Sequence, residues 1–169
     1  HRGLEMAVRV QREDFDVGSE LEALSAGNRK VGGVCSFVGL VRDMNEVAGA
    51  AETVGAMTLE HYPGMTEKQL EEIDAEAHRR WPLEASLIVH RYGRMEPGER
   101  IVLVATASPH REAAFEACHF LIDWLKTRAP FWKVEETGNG DARWVEARES
   151  DDKAAARWAR SDHKRERTS

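Results

Sequence analysis

The chain has 169 residues, 30 Asp plus Glu against 24 Lys plus Arg, a formal net charge of -6, 41% hydrophobic residues and two cysteines. A chain this long removes roughly 68–70% of its unfolded surface from water, so one domain can form without disulfide or metal staples. The acidic balance excludes a general nucleic-acid binder, and no apolar run approaches the ~20 residues of a membrane span. No apolar segment follows the N-terminus to suggest export, and Cys35 and Cys118 lie in no metal-ligand or redox spacing, so a cytoplasmic location is expected. Residues 1–5 read as an N-terminal extension, 6–150 as the domain, and 151–169 as a C-terminal helix and polar tail.

Ala7 to Gln11 reads as a first strand, and Ser19-x-x-Glu22 as a capping box opening a short helix around Leu21 and Leu24. Val31 to Arg42 is β-branched and punctuated by Gly32, Gly33 and Gly39, which predicts a long strand with bulges or close backbone approach. Asp43 to Glu52 has no period and reads as a loop. Val54 to Tyr62 resumes strand character. Thr66-x-x-Gln69 is a second capping box, with Met65 placed to staple Leu70. Leu70, Ile73, Ala77 and Trp81 then form one buried helical stripe that Pro82 ends.

Ala85 to Tyr92 and Ile101 to Ala107 read as strands joined by a turn at Glu96-Pro97-Gly98-Glu99. The second is apolar on both faces and belongs at the centre of a sheet. Ser108 is the expected cap of the next helix, with Pro109 at its first position and Ala114, Cys118, Leu121 and Leu125 facing inward. That helix should run to about Arg128 and stop before Pro130. Phe131 to Glu136 and Arg143 to Ala147 read as a strand pair across a Gly138-Asn139-Gly140 turn, followed by a charged helix near Asp152 to Arg160. Strands outnumber helices without alternating with them, so the class is α+β with a largely antiparallel sheet.

The chain has no phosphate loop, nucleophile elbow, zincin motif or Rossmann glycine spacing, which removes nucleotide triphosphatase, serine hydrolase and metalloprotease readings. What remains is a set of cations where sheet and helix end. His110 and Arg111 sit at a helix N-terminus, where positive side chains oppose the dipole and a bound anion would resolve the conflict. Solvent or a neighbouring carboxylate could equally take Arg111. The run Leu125-Lys-Thr-Arg-Ala-Pro-Phe-Trp-Lys-Val-Glu135 packs Lys126, Arg128 and Lys133 beside aromatics and a proline corner. Partly buried, clustered lysines lower one another's pKa and become usable in proton transfer. Glu135 is the candidate ion-pair partner of Lys133, and Arg42 a candidate for bidentate phosphate binding. His61 and His90 read as sheet histidines rather than ligands, and Cys35 and Cys118 as structural thiols.

Phe37-Val-Gly-Leu-Val-Arg42, Leu59-Glu-His-Tyr-Pro-Gly-Met65, His90-Arg-Tyr-Gly93, Pro97-Gly-Glu99, His110-Arg111 and Leu125 to Lys133 occur in that order. Together they resemble the large, catalytic subunit family of molybdopterin synthase, over about Val8 to Trp158. The resemblance implies an α/β-hammerhead fold and a homodimer at the core of a heterotetramer. At each end of that core a small ubiquitin-like subunit threads a thiocarboxylated Gly-Gly C-terminus into the large subunit. It implies a sulfurtransferase that turns cyclic pyranopterin monophosphate into molybdopterin in two transfers, with no metal or organic cofactor for this step. By the same resemblance Lys126 and Lys133 are catalytic, and Arg42, His110, Arg111, Phe37, Glu135 and Arg128 bind substrate. Relatives with a second basic residue after Lys133 differ here, where Val134 stands. A tail-binding adapter and a phosphate sensor are the competing readings; the adapter would need only a carboxylate site.

Overall fold

The computed structural model describes residues 5–43, 54–137, 142–145 and 158. In chain order the elements are β1 (Glu5–Gln11), α1 (Val17–Ser25), β2 (Gly33–Leu40), β3 (Val54–His61), α2 (Met65–Arg80), β4 (Ala85–Arg91), β5 (Gly93–Met95), β6 (Arg100–Ser108), α3 (Arg111–Arg128), β7 (Phe131–Thr137) and β8 (Ala142–Val145). The class is α+β, as expected, but the strands divide into two four-stranded sheets, ordered β1-β4-β6-β2 and β5-β3-β7-β8. Pairing is antiparallel throughout except between β1 and β4.

Period-two alternation on β4 and β6 sorts the first sheet's two faces. Leu87, Val89, Leu103, Ala105 and Ala107 pack with Phe15 and Leu24 on the α1 side. Ile88, Val102 and Val104 turn to the other face, where Leu70, Ile73 and Ala77 of α2 meet Cys118, Leu121 and Leu125 of α3. With helices on both faces, β6 is buried on both, which is why its sequence is apolar without alternation. Each fully buried aliphatic side chain in these layers contributes about 1.5–3 kcal/mol. A smaller cluster of Val41, Met57, Leu59 and Met95 lies where the second sheet meets the end of the first.

The helix starts differ from the sequence expectations. Asp16 rather than Ser19 caps α1, its Oδ1 accepting from the Ser19 amide at 2.8 Å. Starting there puts Val17, Leu21 and Leu24 together against the sheet. Helix α2 begins at Met65 with Gly64 at the cap (φ 84°) and the Glu67 carboxylate accepting from the Gly64 amide. Thr66 is therefore inside the helix and fully buried, and Met65 is 58% exposed and staples nothing. The Pro63-Gly64 turn, with its positive φ, lets the helix begin before Thr66 could cap it. Ser108 ends β6 instead of capping α3: its buried hydroxyl donates to the Pro82 carbonyl at 2.8 Å and accepts from the His110 amide at 3.3 Å. His110 thus holds the cap position and Arg111 the first turn.

Gly39 sits at a register shift in β2, and a Cβ there would lie 2.8 Å from Val102. A Cβ on Gly32 would lie 2.1 Å from the Pro109 carbonyl oxygen, so the backbone at the start of β2 touches the corner that carries His110 and Arg111. Strand β5 was not foreseen. Gly93 (φ 95°) lets the chain leave the first sheet after Arg91 and add three residues to the edge of the second. The expected loop at Asp43 to Glu52 lies, from residue 44 onward, outside the described residues, as do the Gly138 to Gly140 turn and the helix near Asp152 to Arg160 except for Trp158. Trp158 packs edge-on against Trp81 and Phe120, and its Nε1 donates to Asp123 at 2.6 Å.

Candidate active site

Strand direction decides which cations share an end of the molecule. Gly33 of β2 pairs with Ser108 and Leu40 with Arg100, so β2 starts beside the α3 N-terminus and finishes about 23 Å away, at 3.3 Å per residue. Helix α3 turns back after β6 and lies on β2 and β6, so its C-terminus is at the same end as Arg42. Lys126 lies about 22 Å along the helix from Arg111, at 1.5 Å per residue. Arg42, Lys126, Arg128 and Lys133 therefore gather at one end, while His110 and Arg111 are exposed at the other. A single chain does not bring the two groups into one cleft.

The Lys126 end is built around a corner. Helix α3 closes with the Ala129 amide on the Leu125 carbonyl at 3.2 Å, and the Phe131 amide bonds the Ala129 carbonyl at 2.8 Å. Pro130 ends the helix, and β7 leaves in register with β3, Phe131 opposite His61 and Lys133 opposite Leu59. Thr66 ties the corner to α2: its Oγ1 accepts from the Tyr62 amide at 3.0 Å and donates to the Pro130 carbonyl at 3.4 Å. Leu59 is buried with Val41, which places the next residue, Arg42, at the Lys133 end.

Aromatic groups surround the corner. The Arg128 guanidinium lies 3.7 Å from the Trp124 ring centroid, and Trp132 packs on Tyr62 at 4.6 Å. The His90 ring stacks on Phe131, centroids 3.8 Å apart and planes 15° apart. Its Nδ1 lies 2.9 Å from the Arg91 carbonyl, and burial, reinforced by the charges of Lys133 and His61, pushes its pKa down to about 4. His61 lies 3.8 Å from Glu67, with its ring 4.2 Å from that of Tyr92. Both histidines are held within the sheets, as expected of structural ones.

One expectation about this end needs correction. Lys126, Arg128 and Lys133 are all exposed, because α3 ends at the molecular surface and β7 turns outward from it. The partial burial expected of these cations is therefore not found among the described residues. The side chain of Glu135 lies outside the described residues; its backbone pairs with Met57 and Arg143. Phe37 is 36% exposed on β2, an edge strand that also exposes Val34 and Leu40. The two cysteines, far apart in sequence, meet between β2 and α3 as free thiols, and burial beside Cys35 pushes the Cys118 thiol up. Among the described residues, no cluster of three or more His, Cys, Asp or Glu could hold a metal ion.

The model of the MoaE protein family matches residues 10–128. The molybdopterin synthase catalytic subunit of Pseudomonas aeruginosa is 60% identical over 153 residues, which cover 90% of this chain and 99% of that protein. The chain belongs to the MoaE family of molybdopterin synthase catalytic subunits. They are enzymes of molybdenum cofactor biosynthesis. A solved MoaE protein from Burkholderia ambifaria, 52% identical, superposes with a TM-score of 0.77 over 91% of this chain and 98% of that one. A complex of subunits 1 and 2 of molybdopterin-converting factor from Helicobacter pylori, 21% identical, shares the fold at a TM-score of 0.65 over 84% of this chain and 90% of that one. No helix among the described residues is long and apolar enough to cross a membrane.

Within this MoaE fold, sequence reasoning missed the residues that support the lysines. Thr66 was read as a cap, and its bond to Pro130 spans 64 positions that no local pattern reports. A second buried polar cluster also escaped it. His78 Nε2 is 2.7 Å from Ser86 Oγ and 4.0 Å from Asp74, whose carboxyl burial pushes up to about 6 against an opposing hydrogen bond from Ser86. Burial pushes the His78 pKa down. The only sequence signal was polar residues within the α2 stripe and the apolar β4 run.

Proposed function

We propose that this chain is the sulfurtransferase subunit that converts cyclic pyranopterin monophosphate to molybdopterin, taking two sulfurs from the thiocarboxylated Gly-Gly C-terminus of a small ubiquitin-like subunit. Family membership supports the activity. The observation that carries the site is the convergence of Lys126, Lys133 and Arg42 at one end of the molecule around the Pro130 corner. These cations are exposed, so an anionic tail docked on them would take them out of water. Lys126 orients and polarises the thiocarboxylate and stabilises negative charge during transfer, and Lys133 transfers protons at the pterin side chain. Arg128, Phe37 and Glu135 complete the substrate contacts.

His110 and Arg111 bind the phosphate of the substrate from a second copy of the chain, since they stand at the far end of α3 from Lys126. A homodimer meets that requirement, and the apolar residues on the β2 edge offer surface for one. With a small subunit at each end the assembly is a heterotetramer. The domain spans residues 6–150, and the reaction runs in the cytoplasm, where Cys35 and Cys118 stay reduced.

The test is to incubate the chain with thiocarboxylated small subunit and cyclic pyranopterin monophosphate and to assay for dithiolene. Product should form with the unmodified chain and not with Lys126→Ala, whose dimer remains folded. Near-normal product from Lys126→Ala overturns the assignment.

A further inference from the structure

We propose that Thr66 is a positioning residue for the reaction, its hydroxyl fixing the corner that sets Lys126 against Lys133. This rests on the reading of those two lysines as the catalytic pair. The last turn of α3, Ala129, Pro130 and the first residues of β7 join them, so their separation and angle follow the backbone of that corner. Pro130 brings no N–H to it, and the carbonyl is its one backbone group able to hydrogen-bond. Thr66 Oγ1 donates to that carbonyl at 3.4 Å, from 64 positions away in sequence.

The Thr66 hydroxyl is committed on both sides. It accepts from the Tyr62 amide at 3.0 Å, and the Thr66 amide donates back to the Tyr62 carbonyl at 2.9 Å, a reciprocal clasp between the end of β3 and the first turn of α2. With a lone pair engaged by Tyr62, its single hydrogen goes to Pro130. The clasp also reaches β7 by a second route. The Tyr62 ring packs on Trp132 at 4.6 Å, and Trp132 is the residue before Lys133. Helix α2 is anchored in the main core through Leu70, Ile73 and Ala77, so the tie refers the lysine corner to a fixed body. Thr66 is fully buried, and a β-branched residue is a poor helix former. Packing alone would be served as well by valine, which has the same shape and no hydroxyl.

The separating experiment compares Thr66→Val, which keeps the shape and removes both side-chain bonds, with Thr66→Ser, which keeps the hydroxyl and loses a buried methyl. Each full chain is assayed with thiocarboxylated small subunit and cyclic pyranopterin monophosphate for kcat, KM and melting temperature. Ile73→Val, a loss in the core away from the corner, controls for stability alone. Thr66→Val should lower kcat about tenfold with KM within about twofold, as for reacting groups slightly displaced. Thr66→Ser and Ile73→Val should melt lower yet keep kcat within about twofold of the unmodified chain. In a Lys133→Ala chain, Thr66→Val should cost less than about twofold more, because the pair that the corner aligns is already broken. Should Thr66→Val fail to fold, Thr66→Cys, whose thiol donates weakly, is expected to lower kcat in the same direction. A folded Thr66→Val chain with normal kcat overturns the positioning role. So does a kcat that follows melting temperature through Thr66→Ser and Ile73→Val, or a further tenfold loss in Lys133→Ala. Near-normal kcat in Lys126→Ala or Lys133→Ala instead refutes the reading of the lysine pair itself.

Discussion

At its C-terminal end α3 presents Lys126 and Arg128 to a dipole that favours them, whereas at its N-terminal end His110 and Arg111 face one that does not. The first pair would suit a helix with no function, and Arg128 has a further structural reason in its stack on Trp124. What marks that end is convergence: a strand arriving from β2, a strand leaving through Pro130 and the helix terminus place their cations together. The second pair is marked by cost. A cation at a helix N-terminus costs about 0.3–1 kcal/mol, and among the described residues only Glu112 of the same turn stands against it. An anion bound there offsets it, which is why the unfavourable end says more about a ligand than the favourable one.

Substitutions at each end sharpen this contrast. Lys126→Ala should reduce dithiolene formation by about a thousandfold or more, roughly 4 kcal/mol in the barrier, while the thermal melt of the dimer stays near that of the unmodified chain. A large fall in the melting temperature would make Lys126 structural and erase the distinction between the ends. Gly32→Ala attacks the other end through the backbone. Its Cβ would fall 2.1 Å from the Pro109 carbonyl oxygen, so denaturant unfolding should show a loss of about 3 kcal/mol, and phosphate affinity should weaken as the corner moves.

The lysine end also has a pH signature in its support. His90 is pushed down to about 4 from 6.5, so as pH falls the unfolded chain takes up a proton first. Stability is full above pH 6.5 and falls until about pH 4, by up to about 3 kcal/mol, and His90→Phe should flatten that fall in urea titrations. Asp74 has the opposite sign. Its carboxyl is pushed up to about 6 from 3.8, so the stability it confers is present below 3.8 and lost as pH rises through 6. Asp74→Asn should therefore deepen the acid loss. The smallest effect is expected from Arg111→Ala. It should raise KM for the phosphorylated substrate about tenfold with kcat little changed, as for loss of binding common to ground and transition states. An unchanged KM would leave the N-terminal pair without its anion.

Much of the fold was legible because it is local. The α2 stripe of Leu70, Ile73, Ala77 and Trp81 is buried as its spacing requires, and the apolar β6 is central as its composition requires. Caps were misread where two candidates stood within a few residues, as with Asp16 and Ser19, since the choice depends on which start buries Leu21 and Leu24. Candidate cations were found by residue type and by resemblance. The run itself grouped Lys126, Arg128 and Lys133, but the approach of Arg42 to them was not legible, because it depends on two strand registers and the direction of a helix. Thr66 and the Asp74, His78 and Ser86 cluster were missed for the same reason: each is held by partners on another element.

Composition and periodicity alone determined a single α+β chain, its helices and most of its strands, and the order of its cationic motifs, because these follow from burial and backbone preferences acting over a few residues. Tertiary structure alone decided that the strands form two sheets, that Cys35 meets Cys118, and that the lysines and the His110-Arg111 pair stand at opposite ends of α3. Those outcomes depend on strand pairing and chain reversal between distant segments, which no local pattern encodes.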